Sequence, residues 1–279
     1  MIYQTIELHE DGSLPGARLN VYIQEPSESL QIDTRPLILI CPGGAYAYTS
    51  DREAEPIALT FLAMGYHAAV LRYSCSPAKY PTALTEIARA MVILSEKAER
   101  WHIEKGKIVV QGCSAGGHLA ASLGIFWHKE FLAERVGLKS SEQEVLKPYG
   151  MLLCYPVITS GEFAHRGSFE NLLGDRQNEL ADEMSLENQV SEKTPKSFIW
   201  HTFADNAVPV ENSLLLVQAL RKHGIPTEFH MYPLGSHGLA LADRLTASAD
   251  GGAVQEECTS WTGLAKTWLD ALFAGKLDK

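Results

Sequence analysis

The feature that most constrains this chain is a Gly-x-Ser-x-Gly pentapeptide, Gly112 to Gly116, placed directly after a short β-branched run. The run, Ile-Val-Val at 108–110, predicts a strand, and the small residues after the pentapeptide predict a helix. This order is the sequence form of a nucleophile elbow, a turn so tight that Ser114 takes strained backbone angles. Glycine is needed on both sides because a side chain there would collide with the neighbouring strand or helix. The pattern predicts that the Ser114 hydroxyl stands clear of a sheet as a nucleophile.

Short apolar runs alternate with helical patterns along the rest of the chain. The apolar runs lie at 37–40, 67–71, 108–110, 151–155, 198–201 and 228–232. Helical periodicity lies at 53–64, 81–101, 116–127, 211–223 and 256–273. Strands buried on both faces and separated by helices predict an α/β fold with a doubly wound, mostly parallel sheet. Two alternating segments, 2–8 and 18–24, predict an antiparallel edge hairpin, so we expect about eight strands with helices on both faces.

The length and composition favour one domain. With 279 residues and 46% hydrophobic content, the chain can bury one sizeable core, and we expect a single α/β domain over residues 1–279. The polar stretch 158–195 breaks the alternation and contains only short helical pieces, around 169–173 and 182–190. We interpret this stretch as a small cap or rim inserted between two strands.

Charge and composition exclude several classes of partner. A net charge of −10 and a pI of about 5.5 argue against a nucleic-acid partner. No apolar run approaches the roughly 20 residues of a membrane span, so no membrane partner is expected. The start of the chain lacks the basic patch and apolar core of a secretory signal, which predicts a cytoplasmic protein. The five cysteines are odd in number and lack paired spacing, which favours reduced core thiols over disulfides or metal ligands.

A serine hydroxyl becomes a good nucleophile only with a base that an acid orients. In this fold the acid and then the histidine follow the serine along the chain. Asp205 follows the run at 198–201 and His237 follows the run at 228–232, so both lie just past predicted strands. The carboxyl ends of parallel strands meet at one edge of a sheet. The sequence therefore predicts that Ser114, Asp205 and His237 form a catalytic triad.

Other assignments stay open at this point. Ser114 could occupy an ordinary glycine turn, Asp205 could cap a loop, and His237 could be a satisfied imidazole. The rival acids, none of them directly after a predicted strand, are Asp175, Asp182 and Asp243. The rival histidines, which lie inside predicted elements, are His201, His223 and His230.

Acyl transfer also needs amides that stabilise an oxyanion. The Ala115 amide begins the helix after the serine, where the helix dipole adds to its effect. The loop after the third strand contributes Gly43, Gly44 and Ala45, and its glycines let amides approach a substrate oxygen closely. An ordinary Pro-Gly-Gly turn is the alternative for this loop.

Several segments carry a family resemblance. They are 42–46 (Pro-Gly-Gly-Ala-Tyr), 53–58 (Glu-Ala-Glu-Pro-Ile-Ala), 71–74 (Leu-Arg-Tyr-Ser), 112–120, 205–209 and 235–238 (Gly-Ser-His-Gly). Together they resemble the α/β-hydrolase superfamily, and within it the acetyl-esterase and xylan-esterase group related to the hormone-sensitive-lipase-like enzymes. The resemblance implies the same triad and oxyanion loop. Cys113 stands where the hormone-sensitive-lipase-like branch often has an acidic residue, which favours the carbohydrate-esterase side.

The resulting expectation is a serine carboxylesterase that hydrolyses short acetyl esters, on acetylated sugars or xylo-oligosaccharides, through an acyl-enzyme. Its partner is a small-molecule ester, it needs no metal or organic cofactor, and the sequence leaves open whether it forms a homo-oligomer. Tyr46, Tyr73 and Trp200 are candidate walls of the substrate pocket, with ordinary aromatic core as the alternative for each. A serine peptidase of the prolyl-oligopeptidase type and a non-catalytic binding protein on a hydrolase scaffold are the alternative functions.

Overall fold

A computed structural model describes residues 1–278, in which the strands form one eight-stranded sheet. The strands are β1 (Ile2–Glu7), β2 (Arg18–Ile23), β3 (Arg35–Cys41), β4 (His67–Arg72), β5 (Ile103–Cys113), β6 (Gly150–Cys154), β7 (Ser197–Thr202) and β8 (Thr227–Tyr232). Their order is β1-β2-β4-β3-β5-β6-β7-β8. β1 and β2 form an antiparallel pair at one edge, and β3 to β8 run parallel. The predicted hairpin and mostly parallel sheet are confirmed.

Helices cover both faces of this sheet. They are α1 (Glu55–Ala63), α2 (Thr82–Glu96), α3 (Ala115–Phe126), α4 (Glu130–Arg135), α5 (Arg166–Leu173), α6 (Gln177–Leu180), α7 (Glu211–Lys222) and α8 (Trp261–Phe273). Alternate residues of β3 point to opposite faces of the sheet, each covered by its own apolar core. On one face, Leu37 and Leu39 pack with α2, α3 and α7. Ile38 and Ile40 pack with α1 and α8. Burial on both faces is why the central strands are apolar without interruption.

The short elements differ most from the sequence prediction. α2 ends at Glu96, although the apolar stripe continues to Trp101, which is buried beyond the helix. α4 and the 3₁₀ helix Ser140–Leu146 were not predicted. The stretch 182–190 forms only a single 3₁₀ turn. Helices this short depend on tertiary packing rather than on local periodicity, so a sequence pattern reveals them poorly.

The parallel strands fix where the candidate residues gather. The loops that follow β3, β5, β7 and β8 all leave the same edge of the sheet, and these loops carry the oxyanion segment, Ser114, Asp205 and His237. The stretch 158–195, which holds α5 and α6, joins β6 to β7 and contacts this edge through Asn171. Among the described residues, no helix is long and apolar enough to cross a membrane.

Candidate active site

Ser114 lies in the sharp turn between β5 and α3. Its backbone angles, φ 54° and ψ −122°, are in a region that a non-glycine residue occupies only when its surroundings force it to. The Ser114 amide donates to the Cys154 carbonyl at 3.0 Å and its carbonyl accepts from the Val157 amide at 3.0 Å. A Cβ on Gly112 would collide with the Gly116 backbone, and one on Gly116 would collide with the carbonyl groups at the end of β3. The glycines are therefore required for the reason the pentapeptide predicts.

The fold brings the three predicted triad residues into one hydrogen-bonded chain. Ser114 Oγ lies 2.7 Å from His237 Nε2, and His237 Nδ1 lies 2.6 Å from Asp205 Oδ2. When Nδ1 donates to the carboxylate, Nε2 has a free lone pair that can accept the serine proton. The arrangement can therefore activate an alcohol, and the catalytic roles of the three residues stay a prediction.

Asp205 is held as a carboxylate by several donors. Its Oδ1 accepts from the Ala207 and Val208 amides at 3.0 and 2.9 Å, and His201 Nε2 lies 3.3 Å from its Oδ2. Burial would raise the pKa of Asp205, but the hydrogen bonds from His201 and His237 outweigh it and hold the pKa below its usual range. Sequence reasoning placed His201 inside a strand and missed this second imidazole against the acid.

The loop that carries His237 is fixed on both sides. Thr202 Oγ1 donates to the Gly235 carbonyl at 2.9 Å, and the Ala240 amide donates to the Tyr155 hydroxyl at 2.8 Å. The Tyr155 ring also packs edge-on against the imidazole, with 5.2 Å between ring centroids. These contacts restrict the imidazole to an orientation that faces Ser114.

The loop after β3 presents amides and keeps its carbonyl groups occupied. The carbonyls of residues 43 and 44 accept from the Ser50 and Ala47 amides at 2.9 and 2.8 Å. The carbonyl of residue 45 accepts from Asn171 Nδ2 at 2.9 Å, and that of residue 46 accepts from the Ser76 amide at 2.7 Å. The amides of Gly44 and Ala45, whose φ values are 130° and 54°, donate to no acceptor within residues 1–278. The Ala115 amide begins α3, so no preceding helical carbonyl can accept from it. This pattern suits a site that binds a developing negative charge.

One member of the predicted oxyanion set already has an acceptor within the protein. The Gly43 amide donates to Oε2 of the buried Glu53 at 2.8 Å, so it is not free for a substrate oxygen. Gly43 is nevertheless close to the nucleophile, because a Cβ at this position would lie 2.9 Å from the Cβ of Ser114. The candidate donors are therefore Gly44, Ala45 and Ala115.

The three aromatic residues predicted as pocket walls are part of the packed interior. Tyr46, Tyr73 and Trp200 are 3%, 4% and 0% exposed. Trp200 stacks on Trp261 with 5.5 Å between centroids, because alternation along β7 points it toward α8. The Tyr73 hydroxyl donates to the Pro42 carbonyl at 2.7 Å. These side chains pack inside the protein beside the site and do not line an open pocket.

His118, in the second turn of α3, connects three parts of the site. Its Nδ1 lies 2.9 Å from the Tyr46 hydroxyl and its Nε2 lies 3.0 Å from the Met184 carbonyl. Burial lowers the pKa of His118 to about 4, so the ring is neutral at pH 7. A neutral imidazole thus ties the oxyanion loop and the stretch 158–195 to α3.

We expect this buried imidazole to make stability depend on pH. The unfolded chain takes up the proton near pH 6.5 and the folded chain only near pH 4, so the free energy of unfolding decreases as pH falls through this window. The full shift corresponds to about 3 kcal/mol for His118. Urea unfolding at several pH values measures this dependence. The free energy of unfolding of His118→Gln should change less with pH than that of the wild type. The exposed control His9→Gln should show the same pH dependence as the wild type. A wild-type slope in His118→Gln would contradict the prediction.

Cys113 precedes the serine but is not a competing nucleophile. All five cysteines are free and buried. Burial, followed by the contacts with Cys154, raises the pKa of the Cys113 thiol well above its ordinary value. A protonated, inaccessible thiol is unreactive. Ser114 therefore stays the candidate nucleophile of this turn.

A cavity of about 860 Å³ lies elsewhere in the molecule. Its lining includes Tyr149, Lys196 and Pro226, which immediately precede β6, β7 and β8. It therefore opens at the amino ends of the strands, at the edge opposite Ser114. None of the triad residues lines it, so it is not part of the candidate site.

The chain matches the BD-FAE family over residues 19–220. It is 36% identical over 233 residues to endo-1,4-beta-xylanase B of Butyrivibrio fibrisolvens, which covers 81% of this chain and 36% of the relative. It is 28% identical over 207 residues to an acetylxylan esterase of Xylanibacter ruminicola, which covers 72% of this chain and 40% of the relative. The chain thus spans less than half the length of these curated relatives.

Solved structures share the fold over nearly the whole chain. An acetyl ester-xyloside bifunctional hydrolase from Caldicellulosiruptor lactoaceticus has a TM-score of 0.79 and 37% identity, covering 92% of this chain and 88% of its own. An alpha/beta hydrolase from a Medee basin deep-sea metagenome library has a TM-score of 0.78 and 33% identity, covering 98% of both chains. A carboxylesterase from Lactobacillus plantarum has a TM-score of 0.79 and 27% identity, covering 97% of both. These similarities confirm the resemblance predicted from the sequence.

Proposed function

Because the chain belongs to the BD-FAE family, whose fold is that of the α/β hydrolases, we propose that it is a serine carboxylesterase that removes acetyl groups from acetylated sugars such as xylo-oligosaccharides. The observation that carries the proposal is the continuous chain from Ser114 Oγ through His237 to Asp205, at 2.7 and 2.6 Å. Unoccupied amides beside that chain supply the second requirement of acyl transfer.

In the proposed mechanism, Ser114 Oγ attacks the acyl carbonyl while its proton passes to His237 Nε2. Asp205 keeps His237 in the required tautomer and stabilises the imidazolium that forms. The imidazolium then protonates the departing sugar hydroxyl as the tetrahedral intermediate collapses to the acyl-enzyme. Water, deprotonated by the same imidazole, releases acetate and restores Ser114.

The negative oxygen of each tetrahedral intermediate would accept from the amides of Gly44, Ala45 and Ala115. These donors are fixed before the substrate arrives, so little reorganisation is needed as charge develops. The partial positive charge at the start of α3 acts in the same direction. The reaction uses only groups of this chain and water.

The acetylated-sugar preference rests on the relatives. One curated relative is named an acetylxylan esterase and one structural relative an acetyl ester-xyloside hydrolase. We propose that residues 1–279 form one domain and that 158–195 is a rim against which the sugar lies. The rim touches the oxyanion loop through the Asn171 side chain, which donates to the Ala45 carbonyl at 2.9 Å.

An acyl-length panel tests this function. We expect kcat/KM to fall by at least about tenfold from p-nitrophenyl acetate to the butyrate, because a pocket that fits acetyl must reject added methylenes. Acetate release from acetylated xylo-oligosaccharides is the second measurement. Faster cleavage of aminoacyl-proline amides would indicate a peptidase instead, and failure to react with a fluorophosphonate probe would indicate a non-catalytic protein.

A further inference from the structure

Two buried residues outside the triad form a hydrogen-bonded bridge between the loops of the site. Oε2 of Glu53 accepts from the Gly43 amide at 2.8 Å, and Oε1 accepts from the Tyr155 hydroxyl at 2.8 Å. The Tyr155 hydroxyl in turn accepts from the Ala240 amide at 2.8 Å. Glu53 is 3% exposed and Tyr155 is 1% exposed, so solvent does not compete for these bonds.

The direction of every bond in the bridge is determined. The Ala240 amide can only donate, so the Tyr155 oxygen accepts from it and the single hydroxyl proton goes to Glu53. Burial, with the nearby Cys113 and Glu53, raises the pKa of Tyr155 well above its ordinary value, so the proton stays in place at neutral pH. Removal of any one member leaves a buried partner without its bond, which is costly in a low-dielectric interior.

The bridge connects the two halves of the catalytic geometry. Gly43 immediately precedes the donors Gly44 and Ala45, and Ala240 lies in the same loop as His237. Tyr155 additionally touches the imidazole ring. One buried link therefore spans from the oxyanion loop on one side of the nucleophile to the general base on the other.

We propose that Glu53 and Tyr155 are positioning residues that set the amides of the oxyanion loop and the His237 imidazole in one shared geometry around Ser114. By accepting from Gly43, the Glu53 carboxylate orients the preceding peptide, and the two following amides stay free to face the substrate. The inference rests on the proposed esterase function. Misplacement of the donors by a fraction of an ångström reduces the stabilisation of the transition state much more than it reduces the affinity for substrate.

The test compares two variants of the bridge with two matched controls. Tyr155→Phe removes only the bridging hydroxyl, and Glu53→Gln replaces a double acceptor with a group that has one acceptor. The controls act on another tyrosine–glutamate hydrogen bond, of 2.6 Å, which involves no residue of the bridge: Tyr22→Phe removes it, and Glu55→Gln makes its acceptor neutral.

We expect both bridge variants to lose about 10²-fold in kcat for p-nitrophenyl acetate, with KM changed by less than about threefold. Affinity for an alkyl boronic acid, which forms a tetrahedral adduct with the serine, should fall in parallel with kcat/KM. Both controls should keep the wild-type kcat and boronic acid affinity.

Three outcomes overturn the inference: wild-type kcat in both bridge variants, a rise in KM alone, or an equal loss in the controls. If Glu53→Gln fails to fold, Tyr155→Phe decides, because phenylalanine retains the ring that packs against His237 and Trp200. Fluorophosphonate labelling distinguishes a failure of the proposed esterase function from a failure of the positioning role of the bridge. An unlabelled wild type overturns the proposed function and this inference with it, whereas labelling of wild type and bridge variants at one rate overturns this inference alone.

Discussion

Ester hydrolysis by Ser114→Ala should be slower than that of the wild type by about 10⁶-fold in kcat. Alanine offers no oxygen to form the acyl bond, and the His237 and Asp205 pair is then left without a nucleophile to activate. A small residual rate over water should persist, because the oxyanion donors and substrate binding remain. Steady-state kinetics with p-nitrophenyl acetate, and mass spectrometry after fluorophosphonate treatment, measure the effect.

Ser122→Ala is the matched control for this variant. Ser122 lies in α3, the helix that follows Ser114, is also buried, and donates to the His118 carbonyl at 2.8 Å. It should keep both hydrolysis and a single fluorophosphonate adduct. Retention of near-normal hydrolysis by Ser114→Ala would show that another group performs the chemistry.

The second large effect is expected from Asp205→Asn, with kcat lower by about 10⁴-fold. The asparagine amide can donate to His237 Nδ1, which favours the tautomer that carries its proton on Nε2 and cannot accept from Ser114. The change also removes the carboxylate that stabilises the imidazolium. Comparison of kcat with the melting temperature separates this electronic effect from any loss of fold.

Asp243→Asn tests whether the acid is correctly assigned. Asp243 lies in the same region of the chain as His237, but its Oδ1 caps a 3₁₀ turn by accepting from the Leu245 amide at 2.9 Å. This control should turn over like the wild type. A loss in Asp243→Asn together with full activity in Asp205→Asn would reverse the assignment.

The elements that are set by local pattern were predictable from the sequence. Gly112 and Gly116 predict the elbow because their effect depends on backbone atoms within a few residues of Ser114. The edge at which Asp205 and His237 meet follows from parallel strands, since each residue comes just after an apolar run. Chain order and strand direction together therefore determined the candidate site.

Residues whose role depends on distant partners could not be predicted in this way. Glu53 is a charged residue at the start of a predicted helix, which is typical of an exposed position. Its burial arises only where Gly43 and Tyr155 meet it in the folded chain. The hydrogen bond of the Gly43 amide follows from that contact, so the set predicted from the sequence includes an amide that donates to Glu53 in the folded chain.

Trp200 shows a different limit. It lies in β7, close in sequence to Asp205, and was a candidate wall of the substrate pocket. Successive side chains of a strand point to opposite faces, however, and Trp200 faces Trp261 of α8. Its side chain is therefore fully buried between β7 and α8, a contact with a distant helix that the sequence around Trp200 does not reveal.

The bond from Asn171 to the Ala45 carbonyl has a consequence for engineering. A segment that only shaped selectivity could be exchanged between homologous proteins as an independent module. Here the same segment also steadies the amides that would face the oxyanion, so a graft without an equivalent donor would alter turnover along with substrate choice. Libraries that diversify 158–195 should therefore keep position 171 constant.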